Sequence, residues 1–180
     1  MKTRCLLFGM VVLATCIIVS CATADTVGQD LVSYVNNGVL PLAEYERKAL
    51  ASYGAVVGKN YTSDQAVYDA LKNDVIPNYK RFLEGLKSIQ PTDREVARLH
   101  GTLVSAAESM YRGFQLKMIG IQQKDDTVIR LGNSKIEEGR NLNDEWRKGL
   151  NDLAQKYGAK RAEEKGQKTD DRGQTTEKKE

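Results

Sequence analysis

The sequence predicts an all-α protein, an antiparallel up-down four-helix bundle whose first and second helices are kinked. Three observations predict it. Apolar residues recur three or four positions apart through four segments of residues 30–158, the period of one helix face. No run rich in Val, Ile and Thr alternates with period two, so no strand is expected. The segments are joined by short turns, which places sequential helices side by side and antiparallel.

Before the bundle comes an export signal over residues 1–20. Lys2 and Arg4 give a basic start, and residues 5–19 (CLLFGMVVLATCIIV) form an uncharged apolar stretch. That stretch is shorter than the roughly 20 residues that span a bilayer, which weighs against a permanent transmembrane helix. It closes on Ile18-Val19-Ser20-Cys21, which resembles the lipobox of bacterial lipoproteins. An alternative box, Leu13-Ala14-Thr15-Cys16, is poorer because Thr precedes the cut and apolar residues continue past it.

The resemblance implies cleavage between Ser20 and Cys21 and a diacylglyceryl group on the Cys21 thiol, with a further acyl chain, palmitate among them, on the new amine. Ala22 stands where Asp retains such proteins at the inner membrane, so the resemblance favours the outer membrane, facing the periplasm, in a Gram-negative host. Two or three acyl chains hold firmly, each buried methylene contributing about 0.8 kcal/mol. Residues 21–29 are expected to be the lipidated Cys and a short tether, reaching roughly 30 Å if extended.

The first helical segment spans residues 30–57, with Leu31, Val35, Leu42, Ala49, Tyr53 and Val56 on one face. Asn36-Asn37-Gly38 and Pro41 interrupt it, so a kink or a division into two pieces is expected. Gly58 is the expected stop, because glycine accepts the left-handed conformation that ends helices.

Thr62-x-x-Gln65 reads as a capping box opening the second segment, whose face is Val67, Leu71, Val75, Tyr79, Phe82, Leu86 and Ile89. Pro77 lies inside it and predicts a bend or break near Val75. A second box, Thr92-x-x-Glu95, follows Pro91 and opens the third segment, marked by Val96, Leu99, Leu103, Ala106, Met110, Phe114 and Ile121.

Asp125-Asp126 breaks that pattern, and either carboxylate can cap the fourth helix. Its stripe is the most regular: Ile129, Gly132, Ile136, Gly139, Asn143, Trp146, Leu150, Leu153 and Tyr157. Alternating steps of three and four are the period of helices packed at shallow angles. After Gly158, residues 159–180 carry no large apolar side chain and are expected to be a charged disordered tail. The stretch VIPNYKRFLEGLKSIQPTDREVARLH, residues 75–100, is similar to uncharacterised helical bacterial lipoproteins, which brings no activity with it.

Composition excludes several functions. Cys5 and Cys16 leave with the signal and lipid consumes Cys21, so the mature domain has no disulfide, cysteine metal site or CxxCH haem motif. Removing Lys2 and Arg4 leaves 25 basic against 24 acidic residues. A net charge near +1 gives no field for nucleic acid.

His100 is the only histidine, which rules out two-histidine zinc or haem sites. Met110 and Met118 share its helix and cannot clamp a haem from the other side. A boundary histidine, hydrogen-bonded locally, is the expected role. The tyrosines are expected to bury their rings and keep their hydroxyls at the bundle edge.

Glycines inside helices each cost about 1 kcal/mol relative to Ala, so the pairs Gly113/Gly120 and Gly132/Gly139 need a compensation. Close helix packing is the favoured one; a ligand groove around Gly132, Gly139, Asn143 and Trp146 is the alternative. Asn143 is the one amide on that stripe, either setting register or hooking a ligand.

No nucleophile elbow, phosphate loop or metalloprotease helix is present. The expectation is therefore a non-catalytic, membrane-anchored interaction or structural module of the cell envelope. No cofactor is expected beyond the lipid on Cys21, no metal and no nucleic-acid partner. Its partner would be an envelope protein or peptidoglycan, the latter through tail residues such as Lys178 and Lys179. A chaperone would be a variant of this reading, a small-ligand carrier its alternative, and an enzyme ranks last.

Overall fold

The computed structural model describes residues 22–158. The signal, the lipobox with Ser20 and Cys21, and the tail 159–180 lie outside them. Every regular element among the described residues is helical: α1 (Ala22–Ser33), α2 (Ala43–Gly54), α3 (Asp64–Ala70), α4 (Ile76–Ser88), α5 (Arg94–Gln123) and α6 (Asp126–Lys156). They form four helical runs, because α1 continues into α2 and α3 into α4.

Each of those two continuations passes a proline, and neither proline splits its run. Between α1 and α2 a wide turn covers Tyr34–Val39, where the Leu40 N–H reaches five residues back to the Val35 carbonyl. A tight turn then covers Leu40–Leu42, with the Ala43 N–H reaching only three back to Leu40. Between α3 and α4 the same widening covers Leu71–Val75, and the Ile76 N–H bonds to the Leu71 carbonyl.

Pro41 and Pro77 each stand two residues beyond a wide turn. Proline has no N–H to donate and its ring crowds the carbonyl four residues back. One extra residue in the preceding turn shifts the ladder so that the chain stays helical. Beside Pro77, the Asn78 amide adds a donor to the Asp74 carbonyl (2.8 Å).

The caps differ from the sequence expectation by one residue. Ser63, not Thr62, caps α3, its hydroxyl accepting from the Ala66 N–H; Gln65 bonds to Asp69 instead of closing a box. Asp93, not Thr92, caps α5, its carboxylate accepting from the Glu95 and Val96 amides. A carboxylate makes charge-assisted bonds at the positive end of the helix, so Asp outcompetes the neighbouring hydroxyl. Asp125 caps α6 through Thr127 and Val128.

Two further boundaries move. α2 ends at Gly54, while Gly58 takes a left-handed φ of 61° at the start of a separate tight turn. Residues 22–29 are not an extended tether but the first turns of α1. The inward face starts earlier than expected, at Val27 and the buried Gly28, ahead of Leu31 and Tyr34.

The core fills the space between the runs. Tyr79, Phe82, Phe114, Leu31, Leu71, Leu86, Val67, Val75 and Val96 are its largest fully buried side chains. Phe114 packs edge to face with two rings, Tyr53 at 5.0 Å and Tyr79 at 5.2 Å between centroids. Tyr79 departs from the expected edge position: its hydroxyl is inside the bundle and donates to Met110 Sδ at 3.2 Å.

α5 and α6 share the largest interface, and the order of their contacts reverses along it. Gly120 meets Ile129, Gly113 meets Gly132 and Ile136, Gly139 meets Met110 and Ala106, and Gly149 meets Leu99. The glycines let one backbone approach the other. A Cβ on Gly113 would lie 2.7 Å from the Gly132 carbonyl oxygen, and a Cβ on Gly132 would lie 2.7 Å from the Lys117 amide nitrogen.

Substitution separates these glycines from an ordinary one. Gly132→Ala should destabilise the protein by about 1–3 kcal/mol in urea unfolding, because the clash is with backbone that cannot move aside. Gly101→Ala, where the space is open, should gain about 0.5–1 kcal/mol. Equal effects from the two would mean that α5 and α6 do not touch as described.

Candidate functional site

The stripe read from α6 faces inward: Ile136, Gly132 and Gly139 are buried, and Ile129, Asn143, Trp146, Leu150, Leu153 and Tyr157 are half-buried. It does not open a groove at its glycines, since the α5 backbone occupies that space. Gly132 and Gly139 are packing positions. Asn143 and Trp146 lie further along, on the stretch of α6 where the first helical run also approaches.

There Trp146 enters a polar chain that crosses the bundle. Its indole N–H donates to the Tyr34 hydroxyl oxygen at 3.3 Å. The Tyr34 hydroxyl lies 3.4 Å from His100 Nδ1, with the two rings edge to face at 5.5 Å. The His100 ring also bonds to the Leu86 carbonyl. In the neutral ring, the N–H goes to Leu86 and Nδ1 is left to accept the Tyr34 proton.

Burial pushes the His100 pKa below its ordinary 6.5, with the Leu86 carbonyl partly opposing the shift. Burial also pushes the Tyr34 hydroxyl up to about 12, against a smaller pull from Trp146. At neutral pH the chain is therefore uncharged, and every polar atom in it has a partner. Such a network fixes the relative placement of its elements.

His100 is thus not locally bonded, as its sequence neighbourhood suggested: Tyr34 is 66 positions away. The wide turn that begins at Tyr34 helps bring the hydroxyl to α5. Sequence reading grouped Trp146 with Gly132, Gly139 and Asn143, whereas the structure groups it with Tyr34 and His100.

Glu46 is a second polar intrusion that the sequence reading passed over. It stands between Leu42, Ala49 and Tyr53 at inward-facing steps of four, three and four, and that register was the available signal. Its carboxyl pKa is raised by burial and partly restored by Arg147, while burial, with a smaller push from the Glu46 charge, raises the Tyr79 hydroxyl.

Beside Tyr34, a cleft of about 450 Å³ opens between the first helical run and the end of α4. Asp30, Ser33 and Asn37 line one wall, and Gly85, Ser88 and Ile89 the other. Its volume falls within the range of small-molecule sites. Among the described residues no three His, Cys, Asp or Glu side chains gather to hold a metal, and no helix is long and apolar enough to cross a membrane.

The polar chain makes stability depend on pH with a defined sign. The unfolded chain binds a proton near pH 6.5 that folded His100 resists, so its contribution is complete above that pH. It is lost as pH falls through the lower folded value. The urea midpoint should fall between pH 7 and pH 5, and His100→Gln should remove part of that fall; an unchanged slope would place His100 in solvent.

Comparison with protein-family models, characterised proteins and solved structures finds no match to this chain.

Proposed function

We propose that this chain is a bacterial lipoprotein precursor whose mature form is a non-catalytic interaction or structural module of the cell envelope. The observation that carries the reading is the signal ending in Ile18-Val19-Ser20-Cys21. Acyl chains on Cys21 hold the protein at its membrane, and the bundle needs no apolar surface of its own for attachment. In a host with two membranes, Ala22 favours the outer one, facing the periplasm.

Three features support a module that displays a surface rather than one that turns over substrate. The core side chains are closely buried, the Tyr34–His100–Trp146 chain is internally satisfied, and the glycine contacts on α6 are filled by backbone. In this proposal the four runs alternate up-down-up-down, and the first two bend at Pro41 and Pro77. The partner is an envelope protein or peptidoglycan.

One observation favours a second reading. The cleft between Asp30 and Ile89 gives a small-ligand carrier a place that the α6 glycines do not. A stoichiometric small molecule seen by native mass spectrometry would promote it, and an empty protein would remove it.

Metabolic labelling with a fatty-acid analogue tests the anchor. The wild-type protein should take up label, lose residues 1–20 and sediment with membranes. Cys21→Ala should take up none and accumulate uncut. A wild-type protein that keeps its signal, or that is cut without acylation, would overturn the lipoprotein reading.

A further inference from the structure

Three parts of the chain meet at one end of the bundle. The Asp30 carboxylate on α1 accepts from the Thr92 hydroxyl (2.8 Å), the Asp93 amide (2.9 Å) and the Thr92 amide (3.4 Å), tying α1 to the segment before α5. Glu95 on α5 accepts from Lys156 Nζ at 2.8 and 3.0 Å and from the Tyr157 hydroxyl at 2.9 Å, tying α5 to the end of α6. Gly28 on α1 packs against Tyr157, whose carbonyl oxygen would be 3.2 Å from a Cβ there. The opposite end holds the 55–63 connection and the Lys124–Asp125 turn. The 30 residues of α5 put about 45 Å between the two ends at 1.5 Å per residue.

We infer that the end built from the start of α1, residues 89–93 and the end of α6 rests against the bilayer surface, and that the bundle stands on it with the α5–α6 turn pointing away. This rests on the acyl anchor proposed for Cys21. α1 begins at Ala22, so Cys21 alone separates the acyl chains from the helix. One residue reaches about 3.3–3.6 Å. That keeps the start of α1 at the bilayer surface.

The chemistry of this end suits a headgroup layer. Asp30 and Glu95 direct their oxygens at protein donors, and Asp93 caps α5. Arg94 and Arg98 are exposed beside them, so lipid phosphates would meet cations there, with the exposed Asp152 one turn before Lys156 on α6. Among the described residues, no flank carries a continuous apolar side that would draw the bundle down onto lipid. The large exposed apolar residues Val32, Leu40, Leu50, Tyr61, Ile119 and Leu131 are instead spread over α1, α2, α5, α6 and two connections.

The full chain, expressed with its signal, supports the test because Cys21 is the only cysteine left after cleavage. Gln90→Cys lies at the proposed membrane end and Gln122→Cys near the far turn; both positions are exposed. Each would carry a fluorophore in phosphatidylethanolamine–phosphatidylglycerol vesicles containing a headgroup spin-label quencher. Quenching several-fold stronger at position 90 than at 122 is expected. Equal quenching, or stronger quenching at 122, on protein whose mass shows acylation would overturn the orientation alone. Protein without acyl chains that fails to float with the vesicles would overturn the anchor beneath it.

Discussion

The close approach of α5 to α6 is the constraint from which the rest of the bundle follows. Four glycines bring backbone within reach of backbone along it, and Gly113 and Gly132 face each other. In a helix interior each glycine gives up about 1 kcal/mol relative to alanine, and dense van der Waals contact between the two backbones offsets it. The turn itself is short: the Asp125 N–H closes α5 on the Gly120 carbonyl at 2.8 Å, and the same residue's carboxylate opens α6. The result is a long two-helix wall whose spacing is set by main chain, and against which the shorter runs must fit.

Those runs fit by changing helical period. A wide turn inserts one residue, so the inward face downstream is rotated relative to a uniform helix. In the first run the insertion begins at Tyr34, whose hydroxyl reaches both His100 on α5 and Trp146 on α6. In the second it ends at Val75, and Tyr79 one turn later meets Phe114 and Met110. The prolines, Tyr34 and Tyr79 thus belong to one arrangement: each proline is reached through a turn that also redirects a run toward the wall. Apolar packing fixes the bulk of the core, while the Tyr34 chain selects one registration of the first run, since sliding it would strand the buried Tyr34 and His100.

The sequence showed the four runs, the all-helical class and most of the inward residues, because apolar spacing reports the face a helix buries. The α6 stripe from Ile129 to Tyr157 is the clearest case, with no member exposed. Cap positions were legible only to within a residue, since Thr62-Ser63 and Thr92-Asp93 each offer two adjacent oxygens and the choice depends on where the chain enters the helix. The wide turns were not legible: an inserted residue leaves no composition mark of its own, and the prolines pointed to a disturbance without its form. The Tyr34–His100 pairing was beyond reach because nothing local encodes a contact between residues 66 positions apart. Glu46 could have been found, as it occupies an inward step between Leu42 and Ala49.

The two ends of the bundle are secured by different physics, and the difference bears on how an anchored domain would carry load. Near the α5–α6 turn the fixings are backbone contact and the Tyr53–Phe114 rings, with Lys117 reaching the Tyr53 hydroxyl at 2.9 Å. At the other end the apolar residues Val27, Leu153 and Ala154 are only partly buried, and the joints are carboxylates, Asp30 and Glu95, gripping two elements each. Exposed ion pairs alone contribute little, but these oxygens also take amide and hydroxyl donors, so each joint is fixed in direction. With the proposed acyl chains one residue ahead of α1, pull from the membrane would enter at Ala22. It would pass through Asp30 to the start of α5 and through Glu95 to the end of α6 before reaching the core. Polar joints suit that place, because apolar side chains exposed beside a bilayer would compete for lipid, whereas a saturated carboxylate has nothing to gain there.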